Sequence, residues 1–165
     1  MNTPATDATP PAIETPEVVN AQVLKPSADA WALGVGGLIP FVGLATGLWF
    51  LPPEWLELQA MGMLAYAAVI VSFLGGIHWG LAMRQTKPRR GLLIWGVLPS
   101  LLAWAALLLN SVWGLLLMAA SLLLCYIVDC RIYRPLQLGG WLGLRALLTG
   151  VASVSCLVGV AAFLA

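Results

Sequence analysis

The sequence predicts an all-α, polytopic membrane protein: five transmembrane helices, with the N-terminus cytoplasmic and the C-terminus on the opposite side. Three observations carry this reading. Hydrophobic residues make up 61% of the 165 and charged residues 9%, against about 25% charged in a soluble domain, so lipid must replace water around most of the chain. The apolar residues gather into five stretches, each near the ~20 residues that cross a bilayer core. Five alternating crossings put Lys25, Arg84, Lys87, Arg89, Arg90, Arg131, Arg134 and Arg145 on or near one face. An excess of Lys and Arg marks the cytoplasmic side.

The elements follow in order. Residues 1–28 read as a disordered, Pro/Thr-rich tail, because Pro4, Pro10, Pro11, Pro16 and Pro26 interrupt any helix. That tail lacks the basic start of a secretory signal, and Asp7, Glu14 and Glu17 are foreign to an Arg-rich transit peptide. A bacterial inner membrane is therefore expected in preference to a mitochondrial one. Residues 29–165 form the transmembrane domain. Span one, 30–51, ends at Pro52-Pro53. Span two, 57–83, is long enough to need tilt or an extramembrane first turn. The basic connector from Arg84 to Arg90 follows. The apolar run from Gly91 to Cys130 is too long for one crossing, so it divides at Asn110-Ser111 into span three, 91–109, and span four, 112–130. Span five is 141–164. Trp31 and Trp141 fall at inner ends, and Trp49, Trp55 and Trp113 at outer ends, where an indole finds both an apolar and a polar neighbour. Trp79, Trp95 and Trp104 lie deeper and read as packing between helices.

Several function classes find no support. A net charge of +1 leaves no electrostatic footprint for nucleic acid. Cys125 and Cys130 lie about 140° apart around a helix, so neither a disulfide framework nor a metal site is expected. A haem on His78 would want a second axial ligand. No cofactor is therefore expected, and no catalytic residue is assigned. No internal repeat supports an inverted-repeat transporter.

The candidate site rests on depth. His78, the single histidine, lies six residues before Arg84, about 9 Å inside the helix end. An ionisable group at that depth is a functional candidate by default; the alternative is a neutral imidazole bonded to a neighbouring carbonyl. Asp129 ends span four near the same level, with Tyr126 one turn deeper and Arg131 just beyond. Arg145 lies about 6 Å into span five, and Pro99 about 12 Å and Pro40 about 15 Å into theirs. Prolines free backbone groups and open kinks. His78, Trp79, Pro99, Tyr126, Asp129, Arg131 and Arg145 are thus candidate ligand-binding residues lining an inner-leaflet pocket. The competing expectation is an ion pair, Asp129–Arg145 or Asp129–Arg131, that anchors two helix ends. Gly43, Gly47, Gly75, Gly76 and Gly80 are candidate helix-packing positions, since small residues let helices approach in lipid.

The segments Gly37-Leu-Ile-Pro-Phe41, Ser72-Phe-Leu-Gly-Gly-Ile-His-Trp-Gly80, Leu98-Pro-Ser-Leu-Leu-Ala-Trp104 and Asp129 with Arg131, in that order, resemble the transmembrane protein 69 family. The resemblance covers about residues 30–164. It implies a multi-pass membrane protein and brings no established activity.

The leading expectation is a non-enzymatic inner-membrane protein that binds a lipid- or quinone-like ligand, or a partner membrane protein or second copy, around His78. The alternatives are transport of a small solute or proton with His78 as relay, and a membrane enzyme acting on lipid headgroups with His78 as base.

Overall fold

In lipid every backbone polar group must be satisfied within its own segment, and the chain responds with helices alone among the described residues. The structure is a computed structural model that describes residues 24–87 and 89–165; the tail expectation for residues 1–23 lies outside them. Six α-helices follow in order: α1 Ala28–Gly36, α2 Ile39–Phe50, α3 Leu56–Met83, α4 Arg90–Leu107, α5 Ser111–Tyr133 and α6 Leu142–Ala162. Together they make five membrane-length units, because α1 and α2 share the first. The all-α, five-span expectation therefore describes the fold.

Each boundary has a local cause. The Ser27 hydroxyl accepts Ala30 N–H at 3.2 Å and starts α1. Asn110 Oδ1 accepts Trp113 N–H at 3.1 Å and starts α5, so the three-residue turn between α4 and α5 ends in an N-cap that satisfies an orphan donor. Short 3-10 turns at Pro53–Trp55 and Gly139–Trp141 lead into α3 and α6. Residues 24–27, expected within the tail, are tied to the bundle: Leu24 N–H donates to Gln137 O at 3.1 Å. Gly140 leaves room for Leu24 and Lys25.

The first span breaks where Pro40 has no N–H to give to Gly36. The ladder resumes with Val42 N–H donating to Leu38 O at 3.0 Å. Tyr66 on α3 reaches the break: its hydroxyl donates to Gly37 O at 2.8 Å, and its ring stands edge-on to buried Phe41, centroids 5.1 Å apart.

The core lies where α2, α3, α5 and α6 meet, around Phe41, Met63, Val71, Leu115, Met118 and Leu122. α3 and α4 share the broadest interface, and small residues explain it. A Cβ on Gly75 would come within 2.6 Å of Gly96 O and 3.3 Å of the Pro99 ring. Gly96 in turn makes space for the Trp79 indole, whose N–H donates to Leu93 O at 2.9 Å. Of the expected packing glycines, Gly75 meets α4 and Gly47 meets Gln59, whereas Gly43, Gly76 and Gly80 face open space. Gly114 and Gly159, which no GxxxG spacing marks, sit against Leu64 and Leu48. Trp104 faces outward at 63% exposure rather than packing between helices.

Charge divides the bundle lengthwise. Topology puts Lys25, the α3–α4 connector and the α5–α6 connector at one end. At the other end Ser111 donates to Glu57 at 2.7 Å. Tyr66→Phe should remove the one side-chain donor that reaches Gly37 O among the described residues. The expected loss is about 0.5–1.5 kcal/mol, the usual net worth of an intramolecular hydrogen bond, read as a lower unfolding midpoint of the detergent-solubilised protein.

Candidate functional site

Three helices each send one ionisable side chain to the same buried point. His78 comes from α3, Asp129 from α5 and Arg145 from α6, with exposures of 1%, 1% and 8%. Arg145 Nε donates to Asp129 Oδ2 at 2.8 Å, and Nη2 lies 2.7 Å from the same oxygen with no hydrogen aligned to bond it. His78 Nδ1 is 3.1 Å from Leu74 O one turn back on its own helix. A carbonyl only accepts, so Nδ1 carries a proton. Nε2 stands 3.3 Å from Asp129 Oδ1, off the hydrogen-bond line. Asp129 therefore divides its oxygens, Oδ2 to Arg145 and Oδ1 toward His78.

Aromatic rings enclose the imidazole. Trp95 on α4 meets it edge-on, centroids 6.4 Å apart, and Tyr133 on α5 is tilted 35° to it at 6.3 Å. Beside this cluster a cleft of about 520 Å³ runs between α1, α2, α3, α5 and α6. Its wall is almost wholly apolar, with Leu38, Phe73, Ile77 and Leu148 among its residues. Arg145, Thr149 and Tyr133 supply the polar groups. Along α6 the wall runs from Trp141 to Ala152, about 16 Å at 1.5 Å per residue. The cleft thus reaches from the basic end toward mid-bundle. Gly37 and Leu38, at the break between α1 and α2, are part of the wall.

The candidate residues separate into three groups. His78, Asp129 and Arg145 come together. Pro99 is buried, but it packs under Gly75 in the α3–α4 seam, away from the cleft. Trp79 is 44% exposed and occupies the groove over Gly96. Tyr126 is half-buried and is not among the cleft-lining residues. Arg131 is exposed and takes no part in the ion pair: two residues from Asp129, it points about 200° away around the helix. Sequence reasoning missed Leu74, Trp95, Tyr133 and Thr149. Three of them carried a signal, lying four residues from His78, Asp129 and Arg145 respectively and so sharing their helix faces. Among the described residues no cluster of His, Cys, Asp and Glu could hold a metal ion.

A family model described as "Protein of unknown function (DUF3429)" matches residues 26–161, which include the whole cluster. The chain belongs to that family. It is similar to Transmembrane protein 69 of Xenopus tropicalis, 37% identical over 135 residues, covering 74% of this chain and 50% of that protein. Transmembrane protein 69 of Mus musculus is 31% identical over 80 residues, covering 47% of this chain and 32% of that protein. The chain thus matches half or less of the length of these relatives. No solved structure matches it. With five membrane-length helices and relatives named as transmembrane proteins, this member of the family is a multi-pass membrane protein.

Removing one partner of a buried pair strands the other charge, which costs about 3–5 kcal/mol, whereas replacing both by apolar residues is often tolerated. Asp129→Leu and Arg145→Leu alone should therefore each abolish or sharply lower the unfolding transition. The double substitution should recover most of the loss, checked by thermal unfolding of the wild type and the three variants as a cycle.

Proposed function

We propose that the protein is a binding protein of the bacterial inner membrane. It holds an amphipathic, lipid- or quinone-like ligand in the cleft beside His78, Asp129 and Arg145. The observation that carries the reading is the cleft itself: an apolar space of about 520 Å³ whose polar wall is gathered near the buried cluster. Ligand sites are mostly apolar concavities with a few polar groups that fix orientation, and 300–1,000 Å³ is their usual range. Lipid alone would be satisfied by a smooth outer surface. A cleft whose wall carries a guanidinium instead fits an amphiphile with its polar end at Arg145 and its chain toward Phe41 and Ala152. The role is one of holding rather than converting, since the cluster's one carboxylate is tied to Arg145.

Orientation follows from the charged ends. Basic residues at the Lys25, Lys87 and Arg134 end support N-in, C-out topology by the positive-inside rule. The cleft then opens in the cytoplasmic leaflet.

Leu148→Trp should fill the cleft without touching the ion pair. Lipids and quinones that co-purify with the wild-type protein from native membranes should drop at least severalfold in this variant by mass spectrometry, and unchanged content would remove the ligand reading. Lys87→Cys, in a background lacking Cys125, Cys130 and Cys156, should react with a membrane-impermeant maleimide in inside-out vesicles. Labelling from the periplasmic side in intact spheroplasts would reverse the topology.

A further inference from the structure

The charge of the buried cluster narrows which amphiphile the cleft takes, an inference that rests on the ligand-binding reading above. Leu74 O holds one proton on His78 Nδ1. Asp129 Oδ1 is buried and meets no aligned donor, and His78 Nε2 stands 3.3 Å away. Nε2 donates to it only when it carries a second proton. Without that proton, a ring-nitrogen lone pair faces a carboxylate oxygen in a water-poor interior. With it, one carboxylate lies between an imidazolium and a guanidinium, and the cluster holds a net charge of +1.

Among the described residues, nothing else facing the cluster offsets that charge. α5 contributes the Tyr133 phenol and the Cys125 thiol. α4 contributes Trp95, which does not titrate. The α1 and α2 residues on the cleft wall are apolar, among them Leu33, Leu38 and Phe41. An uncompensated charge at this depth is costly, and an anion beside Arg145 would neutralise it. Two buried groups on the cleft wall can hold one. Thr149 Oγ1 has no aligned protein partner, and Arg145 Nη2, one helical turn away, lies 2.7 Å from Asp129 Oδ2 but carries a second N–H that the carboxylate does not use.

We propose that the cleft binds a single-chain amphiphile ending in an oxyanion. Arg145 and Thr149 hold the oxyanion, and the second proton on His78 balances its charge. A carboxylate and a terminal phosphate share this chemistry; a free fatty acid would supply the first and a single-chain lysophosphatidic-acid-type lipid the second.

The test uses the full chain in phosphatidylcholine nanodiscs and radiolabelled dodecanoate, dodecyl phosphate and dodecanol, with binding read by equilibrium dialysis. At least one oxyanion should bind about 10-fold or more tighter than the alcohol, as charge-assisted hydrogen bonds predict, and whichever of the two binds more tightly names the source. Thr149→Val and His78→Phe should each weaken oxyanion binding at least threefold while leaving dodecanol unchanged. Asp129→Leu combined with Arg145→Leu should erase the preference for the oxyanion. If that double variant does not fold, the wild-type comparison and the two single variants still decide. Equal affinity of wild type for alcohol and oxyanions overturns this inference and spares the ligand-binding reading. Failure of all three amphiphiles to bind overturns both.

Discussion

The contact between Asp129 and Arg145 is the constraint on which the bundle turns. Each side chain alone would be intolerable in hydrocarbon; together, 2.8 Å apart, they can be buried between α5 and α6. The pair also fixes how those helices slide past each other. Counting equal steps along both chains from it brings Leu115 opposite Gly159, and the structure places Leu115 Cδ1 3.3 Å from where a Gly159 Cβ would stand. One polar contact near the basic end thus sets a register that is read in apolar packing fourteen residues away. Apolar surfaces in lipid have little hydrophobic reason to prefer one register over another, so a specific polar contact carries that information.

The break in the first span is the second constraint, and it is tied to the cleft. Pro40 interrupts the helical ladder, Tyr66 satisfies Gly37 O, and the two halves of the span follow separate courses. α2 closes on α3 and α6, while α1 touches α6 through few residues, Gly34 lying against Leu144 and Leu148. Gly34, Gly37, Leu38 and Phe41, on either side of the break, face Arg145 and Thr149 of α6 across the cleft. The same hydrogen bond that repairs the break therefore holds the cleft's wall in place.

How much of this is legible in the sequence divides along a physical line. Depth is legible. Lipid dictates span length, and a rise of 1.5 Å per residue is enough to bring His78, Asp129 and Arg145 to one level. Direction around the helix is not legible. Trp79, Tyr126 and Arg131 share that level yet turn elsewhere, because azimuth depends on which neighbour each helix finds. Arg131 shows the difference most plainly: it is nearer to Asp129 in sequence than Arg145 is, and it points outward. Packing glycines obey the same limit. The GxxxG spacings find small faces, but Gly76 and Gly80 face open space while Gly75, next to them, meets α4. No spacing rule states which neighbouring face a partner helix will choose. The cleft is illegible for a different reason, since its wall is shared by five helices and no residue pattern on one helix marks it.

His78 distinguishes this cluster from a plain helix anchor. Joining α5 to α6 in register needs only the Asp129–Arg145 pair, and apolar side chains could replace even that with little loss of stability, though not of the register it sets. The imidazole joins from a third helix, and Leu74 O on that same helix holds its Nδ1 side. Its orientation is thus set by α3 and does not depend on Asp129. That leaves Nε2 committed toward Asp129 Oδ1 whatever its protonation state, a poor arrangement for an inert anchor, which would turn the lone pair away from a carboxylate. The arrangement is favourable when Nε2 is protonated, and among the described residues no second carboxylate meets the charge it adds. The cleft reaches Arg145 at the place where that charge would be met.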